Sequence, residues 1–225
     1  MIVDIIILSY TKSTQLYKMT HNCISSLVES EINHTFNIIV VESNKNFYEE
    51  YSPYSNCKIV IPKEEFNYNK FCNIGLSLCN NDWVVLCNND LIFHKNWFSV
   101  IEEFSNNTAY KSFSPWNSFE EWHSKRMRID QEVFEGYGIG HELCGWCIAV
   151  KREIFNTITL NERVEFWFSD NVYVDELIKH DIKHVLLRNS IVDHMTSKTL
   201  LTMNTETIKQ LTEEQCENYW NRDND

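Results

Sequence analysis

The chain has 225 residues, 43 % of them hydrophobic and 13 % aromatic, enough for one large packed core and few for two. It carries 20 Lys and Arg against 32 Asp and Glu, a charge of −12 at neutral pH. That sign argues against a protein that grips nucleic acid mainly through its phosphates, and the one basic cluster, Lys125, Arg126 and Arg128, reads as a solvated surface turn.

Val3–Ser9 reads as a strand. Asp4 interrupts this N-terminal apolar run and no basic segment precedes it, so it reads neither as a signal peptide nor as a membrane span. Leu16, Met19, Cys23, Ile24, Leu27 and Val28 then mark one face of a helix. Residues 37–42 form a second apolar strand, ending in Glu42 and the polar Ser43-Asn44, and residues 58–61 a third. Phe71, Ile74, Gly75 and Leu78 give a second helical stripe, and Trp83–Cys87 is a short, unbroken, β-branched and aromatic run typical of a buried strand. Trp97, Phe98, Ile101 and Phe104 predict a third helix.

Alternating strands and helices at close spacing predict βαβ units on a mostly parallel sheet, with ligand contacts at the strands' carboxyl ends. Neither GxGxxG nor GxxxxGK[ST] occurs among the five glycines, which argues against a dinucleotide or P-loop enzyme. Residues 105–140 read as less regular, with Phe113, Trp116, Phe119 and Trp122 among polar residues. Phe113 and Phe119 are expected in the core. Later come a strand at 147–150, a helix capped by Asp170 and running to about His180, a strand at 184–187, and a last helix opened by a Thr212–Gln215 capping box.

Four of the eight cysteines, Cys23, Cys72, Cys79 and Cys87, fall inside apolar patterns, as small buried hydrophobes do, which suits a reducing compartment better than a disulfide framework. A soluble, cytoplasmic protein without membrane contact is the expectation. His141, Cys144 and Cys147 have the spacing of a redox centre or half a zinc site. No second ligand pair accompanies them, so packing is the favoured role.

Four pieces then line up in order. A strand ends in Ser9-Tyr10-Thr11, and another in Glu42-Ser43-Asn44. Asn73-x-Gly75 precedes the apolar strand that ends in Asn88-Asn89-Asp90. Gly145 through Phe155 is followed by Ser169-Asp170 and by His194 with its small polar neighbours. Together these resemble the family 2 glycosyltransferases. The resemblance implies an α/β, GT-A-like fold: a mostly parallel mixed sheet flanked by helices, with a Rossmann-like nucleotide-binding N-terminal half. It implies one domain over 1–225, with residues 1–104 binding a nucleotide sugar, 105–200 building the acceptor and catalytic half, and 201–225 a C-terminal helix.

By the same resemblance the chain moves a hexosyl or pentosyl group from a nucleoside-diphosphate donor, a UDP-sugar above others, to an acceptor hydroxyl with inversion. Ser9, Tyr10, Thr11, Glu42, Asn44, Asn73, Asn88 and Asn89 are the expected donor contacts. Asp90 and His194 are the expected ligands of Mn²⁺ or Mg²⁺; oxygen with imidazole suits Mn²⁺ slightly better. Asp170 is the expected base, although a helix N-terminus should lower its pKa. Trp122, Gly145 and Trp146 are expected to face the acceptor, because sugar rings pack on aromatic surfaces.

Two departures from the family pattern stand out. Asn88 occupies the place of the first metal-motif acid, and Ser169 leaves one carboxylate where a pair is usual. They keep open a catalytically inactive module that binds a nucleotide sugar or glycan. A thiol oxidoreductase would instead need a low-pKa cysteine at 144 or 147. A glycan or glycoside acceptor is favoured over a hydroxylated base in DNA, as viral-type DNA glycosyltransferases use, because −12 repels a polyanion.

Overall fold

The computed structural model describes residues 1–47, 51, 56–195 and 205–222, with the side chains of 205–208, 210 and 211 left aside. Its elements in order are β1 (Ile2–Ser9), α1 (Thr14–Ser30), β2 (Thr35–Glu42), β3 (Cys57–Val60), α2 (Tyr68–Leu76), β4 (Trp83–Asn88), β5 (Leu91–Phe93), α3 (Trp97–Asn106), β6 (Ser112–Trp116), β7 (Val133–Glu135), β8 (Cys147–Lys151), α4 (Ser169–Lys179), β9 (His184–His194) and α5 (Thr205–Asn221). Eight strands make one path, β3-β2-β1-β4-β8-β6-β9-β5, and β7 joins on β9.

The first four strands of that path are parallel. β8 runs against both β4 and β6, while β9 runs parallel to β6 and against β5 and β7. Alternate residues of the parallel strands enter opposite layers. Ile5, Ile7, Ile38 and Val40 pack with Ile24 and Leu27 of α1 and with Trp97, Phe98 and Ile101 of α3. Ile6, Leu8, Ile39 and Val41 pack with Phe71 of α2 and with Tyr173 and Leu177 of α4. Strands buried on both faces explain the near-continuous apolar runs. Gly75 is required where α2 crosses β1, because a Cβ there would lie 2.6 Å from Ile6 Cγ2.

Asp4, polar and fully buried within β1, is satisfied at the sheet's far end. Its carboxylate accepts from Asn37 Nδ2 (2.6 Å), Asn81 Nδ2 (2.8 Å) and the backbone N–H groups of Asn80 and Asn81 (both 2.8 Å).

Several sequence expectations need correction. Residues 105–140 contain β6, whose Phe113 is fully buried and whose Trp116 is 6 % exposed; Pro115 within it masks the strand pattern. Phe119 is half-buried rather than core. The strand expected at 184–187 runs on to His194, its second half paired with β5. The register shift between Pro115 and Trp116 lets one strand serve both partners. Thr212 lies inside α5, so it opens no helix, and Gln215 of the expected capping box bonds to another segment. Asp170 is not the cap of α4: Phe168 holds that position with φ +67°, and Asp170 sits in the first turn. Among the described residues no helix is long and apolar enough to cross a membrane.

Candidate active site

Strand direction assembles the site. The parallel register sets Ser9 beside Glu42 and Leu8 beside Asn88, so β1, β2 and β4 end side by side. β8 is antiparallel to β4 and begins at that same edge, with Cys147 opposite Cys87. β6 and β9, parallel to each other and antiparallel to or beyond β8, also end there. Residues from five strand ends thereby converge, as expected for the carboxyl edge of an open α/β sheet.

At the β1 and β2 ends the groups lock together. Glu42 is fully buried, and its Oε1 accepts from Thr11 N (2.8 Å) and Asn44 N (2.7 Å). Asn44 Nδ2 donates to Thr11 O (2.5 Å). Glu42 Oε2 is buried with no hydrogen-bond partner among the described residues. Beside it a chain of hydroxyls runs from Tyr51 through Thr11 and Ser9 to Thr20, and Asn89 Nδ2 donates to Thr20 Oγ1 at 2.8 Å. Burial pushes the Tyr51 phenol up, countered by the hydroxyls that bond to it. Tyr10 instead points outward, 43 % exposed, with the Lys12 ammonium 5.1 Å from its ring.

The end of β4 meets the end of β9. Asp90 Oδ1 lies 3.2 Å from His194 Nε2, both side chains being largely buried. Asn88 anchors the turn by donating its N–H to Trp146 O (2.9 Å), and the Trp146 ring stacks on His194 at 5.4 Å and 15°. Two such donors side by side could both turn to one divalent cation. The donor set of one carboxylate and one imidazole fits Mn²⁺ or Mg²⁺. Among the described residues no group of three His, Cys, Asp or Glu side chains could hold a metal, so the remaining positions would fall to phosphate oxygens and water.

Asp170 approaches from α4. It packs directly on Gly145: a Cβ at that glycine would lie 2.9 Å from Asp170 Cβ and 3.3 Å from its Oδ2. Tyr68 of α2 donates its hydroxyl to Gly145 O (2.9 Å). Asp170 Oδ1 accepts the Asn171 N–H (3.1 Å), and burial raises its pKa above the ordinary carboxylate value. That reverses the lowering expected from the helix dipole, because desolvation outweighs the backbone hydrogen bonds at this partly covered first turn.

Residues 144–146 therefore touch both halves of the site, Gly145 at Asp170 and Trp146 at His194. Behind them His123, fully buried, accepts Asn117 N–H at Nδ1 (2.7 Å), which fixes the tautomer so that Nε2–H faces Cys144 Sγ (3.3 Å). Desolvation lowers its pKa to about 4. Asn117 Oδ1 accepts from Phe119 N (2.9 Å) and His194 N (3.4 Å). Tyr68, Thr20, Asn117 and His123 are the residues sequence reasoning missed. Only the interruption of α1's apolar stripe by Thr20 could have signalled one of them.

Besides Tyr10, three expected contacts are placed otherwise. Asn73 spends its amide on Leu160 O (2.9 Å) and Glu162 Oε1 (3.0 Å), tying α2 to the 160–162 loop. Trp122 has the Arg126 guanidinium 3.7 Å from its ring centre, so that face is not open to a sugar. Trp146 meets the rings of His123 and His194 rather than standing free. Cys144 and Cys147 are 1 % and 0 % exposed, and burial raises the Cys144 thiol, the opposite of a reactive thiolate. Burial of both thiols argues against a thiol oxidoreductase. The basic cluster is locally balanced as well, Lys125 by Glu121 (3.3 Å) and Arg128 by Asp130 (2.9 Å).

Comparison with known proteins places this geometry in context. The sequence model of Glycosyl transferase family 2 matches residues 4–159. The crystal structure of S. aureus TarS 1-349 superposes with a TM-score of 0.64 at 13 % identity, over 98 % of this chain and 72 % of that one. At that identity the likeness is one of fold, the GT-A arrangement. No curated protein sequence matches the chain.

Proposed function

The chain belongs to glycosyl transferase family 2, and from that membership we propose an inverting, divalent-metal-dependent transferase that moves a hexosyl or pentosyl group from a UDP-sugar to a hydroxyl of a glycan or glycoside. The observation that carries this reading is the approach of Asp90 to His194 (3.2 Å) beside a loop that also seats Asp170.

Glu42, Ser9, Thr11 and Asn44 would receive the nucleoside. Both backbone N–H bonds fall on Glu42 Oε1, leaving Oε2 to accept an N–H from the base, as uracil N3–H can donate. A desolvated carboxylate left unpaired is costly, which supports a ligand group at that oxygen. Asp90 and His194 would hold Mn²⁺ or Mg²⁺ against the diphosphate. When bound, such an ion neutralises charge on the leaving diphosphate.

Asp170 takes the proton from the attacking hydroxyl. Its raised pKa is suited to this, since a base closer to the working pH gains more from proton transfer. Asp170 in the role of base rather than nucleophile would give direct displacement and inversion. Gly145 leaves Asp170 its room, and Tyr68 fixes the Gly145 carbonyl. Local pairing of Lys125 and Arg128 leaves little free positive charge for DNA, which favours the glycan.

The rival is a module that binds donor without turning it over, favoured by the lack of a third protein metal ligand among the described residues. Release of UDP from UDP-glucose, UDP-galactose or UDP-N-acetylglucosamine in Mn²⁺ tests it, since transferases slowly pass donor to water. Turnover sharply lowered by Asp170→Asn, with UDP binding retained, supports the transferase. Tight UDP binding without release from any of the three favours the binder.

A further inference from the structure

We propose that α5 is a clamp for the turn that carries the base, and that Gln215 and Tyr219 are positioning residues for Asp170. This rests on the assignment of Asp170 as the base. The family match ends at residue 159, so neither the turn nor the clamp lies within it.

Phe168, immediately before α4, has φ +67° and ψ 10°, and no side chain caps the helix there. A bulky residue in the left-handed region is strained and persists only where its surroundings over-determine it. α5 supplies those surroundings. The Tyr219 ring stacks on Phe168 at 5.4 Å and 15°. Gln215, 2 % exposed, accepts two successive N–H groups at one oxygen, Glu165 N at 2.8 Å and Phe166 N at 3.2 Å. Tyr219 OH donates to Asp175 Oδ2 (2.5 Å), one turn beyond Asp170, and Arg222 Nη2 reaches the same oxygen at 2.6 Å. Val164, Val172 and Tyr219 form a small buried cluster with Phe168 packed on it, apart from the two main cores.

The turn is therefore held before and after Asp170 by one helix. If Phe168 relaxed to negative φ, the first turn of α4 would reorient and Asp170 would leave the wall at Gly145. Displacement of about 1 Å at a reacting group can lower turnover about a hundredfold. The described contacts of α5 run to residues 163–168, 172 and 175 rather than to the donor groups on β1, β2 and β4, so donor binding should be unaffected.

The test compares Gln215→Leu, Gln215→Glu, Tyr219→Leu and Tyr219→Phe with the intact chain and with Asp170→Asn. The readouts are UDP release from the three UDP-sugars in Mn²⁺, UDP binding by calorimetry, and hydrogen exchange of the 165–171 amides. Both leucine variants should lower kcat about tenfold or more at unchanged UDP affinity, and exchange in 165–171 should quicken. Gln215→Glu keeps the acceptor oxygen and Tyr219→Phe keeps the stacked ring, so both should recover most turnover. Leucine variants with normal kcat and normal exchange overturn the clamp. If Asp170→Asn itself leaves kcat intact, the base assignment fails instead. If the intact chain releases no UDP, exchange alone decides: unchanged protection in both leucine variants overturns the clamp.

Discussion

Gly145 and Asp170 are in direct van der Waals contact, so close that a Cβ on the glycine would approach the aspartate Cβ to 2.9 Å. Glycine is needed here for space, since no left-handed φ is recorded at this position. Gly145→Ala should push Asp170 off the site and reduce kcat by about tenfold to a hundredfold. UDP affinity measured by calorimetry should stay within about twofold, because no donor contact involves residue 145. Equal losses in kcat and UDP affinity would place the glycine in the donor site instead.

Burial raises the Asp170 pKa, and the sign has two consequences. The base must be ionised, so kcat should fall as pH drops through a value above the ordinary aspartate range; that acid limb should vanish in the residual activity of Asp170→Asn. A raised folded pKa also means that ionised Asp170 weakens the fold above that pKa and ceases to do so below the unfolded value. Asp170→Asn should therefore unfold at the same or a higher temperature than the parent at neutral pH. A marked drop in Tm would contradict the desolvation that underlies both statements.

Asp90 and His194 approach to 3.2 Å, and the Trp146 ring stacks on the histidine. Asp90→Ala should abolish the Mn²⁺-dependent part of UDP binding, and His194→Ala should weaken it about tenfold to a hundredfold, in the range found for perturbing metal sites. Circular dichroism should remain that of a folded protein. Undiminished Mn²⁺ dependence of UDP binding in Asp90→Ala would remove the metal assignment.

Asp4 at the opposite end of the sheet accepts four hydrogen bonds while fully buried. Asp4→Ala leaves four donors short of a partner and should cost about 3 kcal/mol or more. Urea denaturation checks this, and UDP affinity below the transition should be unchanged.

His123 and His184 are both fully buried and neutral, their pKa values lowered by desolvation to about 4 and about 3. In the unfolded chain each titrates near 6.5, so the unfolded state binds up to two more protons between those limits. Stability should be at its plateau above about pH 7 and fall below about pH 6, by up to about 1.4 kcal/mol per pH unit for each histidine. Urea unfolding at pH 7, 6 and 5 measures the slope. A flat profile would mean that other titrating groups offset both.

Much of the first hundred residues was legible in the chain itself. β1, β2, β4 and the three helices before residue 107 declare themselves because each buries a continuous run or a helical stripe, and such patterns are local. The order of Asn73, Asp90, Asp170 and His194 pointed to the family for the same reason. Strands at 112–116 and 191–194 escaped because Pro115 and the charged Asp193 break the pattern, and their burial depends on β9 changing partners midway. What the chain alone could not decide is which polar groups meet. Parallel and antiparallel pairing gathers five strand ends, and this alone brings His194 to Asp90 across more than a hundred residues of sequence. The same packing covers Trp122 with Arg126, turns Asn73 to the 160–162 loop, and desolvates Asp170, reversing the pKa shift expected from its place near a helix start. Pattern reveals which residues are apolar; only the assembled sheet sets distance and water access, and those decide the chemistry.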